Sequence, residues 1–185
     1  SGTLGTKGNT QVVVPHVTEN YGATRDPPEK TFPVCTLKNF PHAIEHTLAW
    51  ARDWFELAFA QTPMNAVSYK RDPTGFLKSL EVQQNSRLEV LESLVATLVD
   101  EKPKSFDDCL AWARREFEKQ FANQIKQLLH NFPPDMVTSS GALFWSGTKR
   151  QPKPMVFDAS DPLHFDFCYA AACLRAFNFG VPVSS

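Results

Sequence analysis

At 185 residues, with 42% hydrophobic and 12% aromatic side chains, the chain can bury one substantial core. Its formal net charge of −1 supplies no global attraction to nucleic acid or to an anionic membrane, and no apolar run approaches the length of a membrane span, so neither is expected as a partner. Cysteines at 35, 109, 168 and 173 form no CxxC pair and no dense framework, which fits a reducing cytoplasmic or nuclear setting.

Ser1 to Asn9 is glycine-rich, with Gly2, Gly5 and Gly8, and it precedes Gln11-Val12-Val13-Val14-Pro15, whose apolar run predicts one short buried strand closed by a proline. Glycines spaced by three lack the GxGxxG or Walker pattern with its following helix, so a turn before a strand is preferred over a phosphate cradle. Thr18 to Lys30 carries Asn20, Gly22, Asp26, Pro27 and Pro28 with little apolar content, the composition of a connector.

Phe32-Pro33-Val34-Cys35-Thr36-Leu37-Lys38-Asn39-Phe40-Pro41 follows. Its prolines predict an exposed, extended backbone around Cys35. Only a thiolate attacks carbonyl carbon; Lys38 and the start of the next helix would favour it, and the Thr36 hydroxyl is placed to donate to a developing oxyanion. The competing reading makes Cys35 a small apolar residue packed under a loop.

From Pro41 to Gln61, Ile44, Leu48, Ala51, Phe55 and Ala58 recur at helical spacing, and Trp50, Trp54 and Phe59 widen that apolar surface. Short helices are predicted around Pro63 to Lys70 and Pro73 to Val82, then an amphipathic one over Asn85 to Asp100 on Leu88, Leu91, Leu94, Val95 and Leu98. Ser105-Phe106-Asp107-Asp108 opens a helix to about His130 that buries Phe117 and Phe121 and is stopped by Pro133 and Pro134. Ser139 to Pro154 reads as a loop pinned by Phe144 and Trp145, and Asp161-Pro162 begins a last helix ended by Gly180. Cys109, Cys168 and Cys173 fall on helical faces among apolar residues and read as core thiols. The expected fold is mainly α: a compact multi-helix domain of five or more helices, with a short N-terminal strand and an extended crossover segment.

His42-Ala43-Ile44-Glu45-His46 matches HxxEH, in which two histidines on one helix face hold zinc and the glutamate serves as base. The match lacks a signal for the further ligand such a site needs, so no metal is expected. His46 retains two readings: it folds back to position chemistry at Cys35, or it packs inside the helical domain.

Phe32 to Trp50, FPVCTLKNFPHAIEHTLAW, closely resembles the active-site cysteine segment of ubiquitin-activating enzymes, and Gln127 to Arg150, QLLHNFPPDMVTSSGALFWSGTKR, is similar to a second signature of that family. The resemblance implies that residues 1–20 are the end of an adenylation domain, 21–40 a crossover connector carrying the catalytic cysteine, and 41–183 a helical second catalytic cysteine half-domain. It implies Cys35 as the nucleophile that carries ubiquitin as a thioester, with Thr36 and His46 in positioning roles. Implied partners are ubiquitin, ubiquitin-conjugating enzymes and the chain's own adenylation domain, in the cytoplasm and nucleus. ATP and Mg would be bound by the complete enzyme, with no cofactor held by this stretch. The alternative is a non-catalytic helical docking module in which Cys35 is incidental; a cysteine hydrolase would turn over esters on its own, and no such turnover is expected.

Overall fold

The N-cap of the last helix and its Gly180 stop already frame the longest element of a computed structural model that describes residues 2–4, 7–21, 23, 32–81 and 86–183. The chain divides into two units, Ser1–Phe32 and Pro33–Ser185. In the first, β1 (Gly2–Leu4) and β2 (Lys7–Asn9) pair antiparallel with Thr3 opposite Gly8. The strand predicted over Gln11 to Pro15 does not form. Instead the chain turns at Pro15 and His16, whose φ is +64°, while the Val14 amide donates to the Thr18 hydroxyl and the Val14 carbonyl accepts from Val17 and Thr18. An apolar triplet makes a strand only where a neighbouring strand completes its ladder; here Val12, Val13 and Val14 are exposed.

The second unit is helical. α1 (Val34–Asn39) and α2 (Ile44–Phe55) come first. A π-helical turn (Glu56–Gln61) leads into α3 (Thr62–Arg71), followed by α4 (Pro73–Leu80) and α5 (Arg87–Val95). A second π turn (Ala96–Asp100) ends that run; α6 (Phe106–Glu118), a third π turn (Lys119–Asn123) and α7 (Gln124–Asn131) form one continuous rod; α8 (Pro162–Phe179) closes the unit. The mainly α expectation therefore holds.

The π turns are joints with identifiable partners. Pro63 has no amide to give the Phe59 carbonyl four residues earlier, and that carbonyl accepts instead from Asn178 Nδ2 of α8 at 3.1 Å. The third turn offers the Phe121 carbonyl to the Met155 amide at 2.9 Å, which lays the segment before α8 along the rod.

α6 and α8 make the core. Phe106, Cys109, Trp112, Ala113 and Phe117 meet Cys168, Ala171, Ala172 and Ala176, the alanines letting two helices approach closely while α6 supplies the bulk. Both ends of this pair are set by local chemistry legible in the sequence. The Ser105 hydroxyl accepts from the Asp108 amide at 3.3 Å while the Asp108 carboxylate accepts the Ser105 and Lys104 amides at 3.0 and 2.8 Å, a reciprocal cap. Asp161 caps α8, and Gly180 at φ +66° allows the Val181 amide to reach back to Ala176, a conformation that a β-carbon would strain. Arg175 is buried between the rings of Trp112 (4.3 Å) and Phe179 (5.0 Å), and its Nη2 donates to the Glu101 carbonyl at 2.7 Å, tying α8 to the end of the second π turn.

α2 corrects the expected face. Ile44, Leu48 and Phe55, which the helical spacing places on one apolar face, are 68%, 63% and 47% exposed, and the helix turns His46, Trp50 and Trp54 inward. Both faces have helical spacing; the tryptophans hide more apolar area per residue and find ring partners, Trp50 with Phe121 at 5.8 Å and Trp54 with Phe167 at 5.3 Å.

Candidate functional site

Cys35 does not lie on extended backbone. It is in α1, opened by Pro33, whose carbonyl accepts from Thr36 and Leu37 at 2.9 and 3.2 Å, and closed by Phe40, whose amide donates to Thr36 at 3.2 Å. The expectation of extended backbone fails over Val34–Asn39. Proline restricts the residue before it and suits a helix start, so Pro33 permits helix over Cys35, whereas Pro41 ends it by holding Phe40 at φ −134°, ψ 48°. The rest of the crossover, 22 and 24–31, is outside the described residues.

This conformation bears on Thr36. While α1 stands, the Thr36 amide is committed to Pro33, so any donation to an oxyanion from this residue falls to its hydroxyl. His46 is 6% exposed in the first turn of α2. Its Nδ1 accepts the His42 amide at 3.3 Å, and the two imidazoles meet edge to face at 4.5 Å. With Nδ1 accepting, neutral His46 carries its proton on Nε2. The HxxEH spacing thus serves a helix start, and among the described residues no three His, Cys, Asp or Glu side chains are gathered to hold a metal ion.

Phe40, immediately past α1, enters an aromatic cage that sequence reasoning missed. Its ring lies 5.8 Å from Phe132, 5.8 Å from Phe144 and 5.9 Å from Trp145, all beyond the end of α7. Phe132 and Phe144 stack at 4.6 Å and 9°, the Trp145 indole donates to the Phe132 carbonyl at 3.0 Å, and Lys149 Nζ stands 4.3 Å from the Phe144 ring. The loop is pinned as expected by Phe144 and Trp145, but to Phe40 and Phe132 rather than to the α6–α8 core. The signal in the sequence was the aromatic density of both segments; the pairing across them is tertiary.

The other cysteines are packing groups. Cys109 is fully buried and Cys168 nearly so, and burial pushes both thiols up, away from the reactive form. His164 accepts the Asp158 amide on Nδ1 at 3.1 Å and packs on Phe117 at 4.8 Å. A cleft of about 990 Å³ lies between α3–α5 and the core, bounded by Trp54, Leu80, Trp112 and Arg175.

The two blocks that meet in the cage are the ones whose residues carry the family resemblance, and direct comparison agrees. The sequence pattern of the ubiquitin-activating enzyme SCCH domain matches residues 41–185. The chain belongs to the ubiquitin-activating enzyme family. It is 59% identical over 181 residues to a protein named ubiquitin-activating enzyme E1 1 from Schizosaccharomyces pombe. It is 58% identical over 182 residues to ubiquitin-like modifier-activating enzyme 1 from Dictyostelium discoideum, and 54% identical over 181 residues to the human protein of that name. Each similarity covers 98% of this chain but only 17 to 18% of the relative, so the chain spans less than a fifth of the length of these family members. The SCCH match begins at Pro41, past Cys35, while the whole-chain similarities extend over nearly all of this sequence.

Proposed function

We propose that this chain is the thiol-bearing part of a ubiquitin-activating enzyme and that Cys35 carries ubiquitin as a thioester. The observation that carries the reading is similarity to ubiquitin-activating enzymes over 98% of the chain, with Cys35 on a short helix held against the half-domain through Phe40. On this reading residues 1–20 close an adenylation domain, 21–40 cross over, and 41–183 form the cysteine half-domain. Val12 to Val14 lying exposed without a ladder supports a first segment completed by strands of another domain.

The substrate of the thiol is the adenylate of the ubiquitin C terminus, made by ATP and Mg elsewhere in the enzyme. On this reading the ATP site lies outside this stretch, whose described glycines Gly2 and Gly8 sit in paired strands and lack the GxGxxG or Walker spacing. The Cys35 thiolate forms a sulfur–carbon bond to the terminal carbonyl. The carbon–oxygen bond to AMP then breaks, AMP leaves with the electron pair, and the thiol proton passes to solvent. Because AMP departs readily, the step needs no dedicated base. The Thr36 hydroxyl steadies the oxyanion, and His46, fixed by the His42 amide, holds the start of α2 where α1 ends. A conjugating enzyme's thiolate then attacks the thioester, and the Cys35 thiolate leaves.

The test is Cys35→Ala in the parent enzyme, following ubiquitin-dependent pyrophosphate exchange beside the thiol-sensitive ubiquitin adduct on a non-reducing gel. Exchange retained with the adduct lost is expected; an adduct that survives assigns the acyl-carrying thiol to another cysteine. The exposed apolar stripe of Ile44, Leu48 and Phe55 favours a second reading, a helical docking module. That reading predicts an unchanged adduct in the same experiment.

A further inference from the structure

The cage around Phe40 is separate from the core that stabilises the fold. None of Phe40, Phe132, Phe144 or Trp145 belongs to the α6–α8 cluster or to the side chains packed against it. It is nevertheless braced: besides the indole donation to Phe132, the Phe144 amide donates to the Met136 carbonyl at 2.8 Å, and Val137 bridges Leu143 across the intervening turn. Among the described residues, the ring that enters this braced cage from outside is Phe40, whose backbone closes α1. α1 is six residues long and lacks a side-chain cap at Pro33, so it is too short to persist on its own hydrogen bonds. Its orientation has to come from its packing on α2 and from the end that the cage grips.

We propose that Phe40 is a positioning residue for acyl transfer: the cage of Phe132, Phe144, Trp145 and Lys149 grips its ring and so holds the helix that presents Cys35 to the incoming acyl adenylate. The proposal rests on the assignment of Cys35 as the acyl-carrying thiol. It explains why the two sequence blocks resembling the family, Phe32–Trp50 and Gln127–Arg150, are in contact through their aromatic residues. It also gives Lys149 a role: its exposed ammonium stands 4.3 Å from the Phe144 ring and 5.7 Å from the Phe40 ring, with no ion pair among the described residues.

The experiment compares Phe40→Ala, Phe40→Tyr and Lys149→Met in the parent enzyme. Pyrophosphate exchange reports adenylation, and the single-turnover rate of adduct formation at saturating ubiquitin reports transfer to the thiol. A misplaced nucleophile loses rate rather than substrate affinity, so Phe40→Ala is expected to slow transfer about tenfold with exchange unchanged and the ubiquitin KM kept. Tyrosine keeps the ring and is expected to restore transfer to within about twofold, and Lys149→Met to slow it about threefold. Transfer at the parental rate in Phe40→Ala overturns the proposal, as does loss of exchange in parallel with transfer, which is the mark of a merely structural ring. Should Phe40→Ala fail to fold, the exposed Lys149 decides, and parental transfer in Lys149→Met overturns it. An adduct surviving Cys35→Ala sinks the underlying assignment instead; an adduct lost there with Phe40→Ala unaffected sinks only the positioning role.

Discussion

The α6–α8 pair and the α1–α2 pair are built from similar residues and behave differently. In the first, large aromatics on one helix close on alanines of the other, and nine residues are buried together. In the second, His46 is the residue of α2 that is fully withdrawn from solvent, an apolar stripe faces outward, and α1 is held through a ring beyond its own end. Stability is concentrated in one pair, and the candidate chemistry sits on the other. Among the described residues α1 contributes none to the buried α6–α8 cluster, so a shift of α1 leaves that cluster's own contacts in place.

Phe117→Ala is the strongest challenge to this contrast. The residue is 2% exposed and lies within ring contact of Phe121, Phe157, His164 and Phe167, so truncation leaves a cavity and is expected to cost about 4 kcal/mol, read as a fall in the denaturation midpoint. A loss under about 1 kcal/mol would show that stability is not concentrated there.

The cap of α6 sharpens the comparison at its edge. Ser105→Ala is expected to cost about 1 kcal/mol, since Ser105 satisfies the Asp108 amide. The amides of Lys104 and Ser105 hold the Asp108 carboxyl below its ordinary 3.8. Its folded value being depressed, the unfolded chain binds its proton first. The contribution is therefore present above the ordinary value and is lost as pH falls from 3.8 through the lowered one. Asp108→Asn should flatten that acid limb of the stability profile; an unchanged limb would assign it to other carboxylates.

On the exposed stripe the effect should be smallest. Ile44→Ser with Leu48→Ser is expected to stay within about 0.5 kcal/mol of the parent, since both side chains already face solvent. A loss near that of Phe117→Ala would mean this face is covered within the chain and would erase the difference between the two pairs.

The elements with their own punctuation were the legible ones. Ser105 with Asp108, Asp161 with Pro162, and Gly180 mark the limits of α6 and α8 through contacts between residues a few positions apart, so no knowledge of the rest of the chain was needed. The apolar spacing of Leu110 to Phe121 likewise named the inner face of α6, because that helix has one dominant apolar side. Cys35 stands out by its neighbours and by family resemblance, but its helical setting does not, because Pro33 restricts the residue before it and equally suits the start of a helix after it.

Sequence by itself therefore determined most of the helical segments, α1 excepted, and where most of them begin and stop. Tertiary structure alone decided whether Val12 to Val14 becomes a strand, which side of α2 is inside, and that Phe40 meets Phe132, Phe144 and Trp145. The reason is range. A cap or a proline acts within one turn of chain, whereas a covering face and a cage of rings come from residues dozens of positions away, as Trp50 meets Phe121 and Phe40 meets Phe132, and no local pattern encodes those meetings.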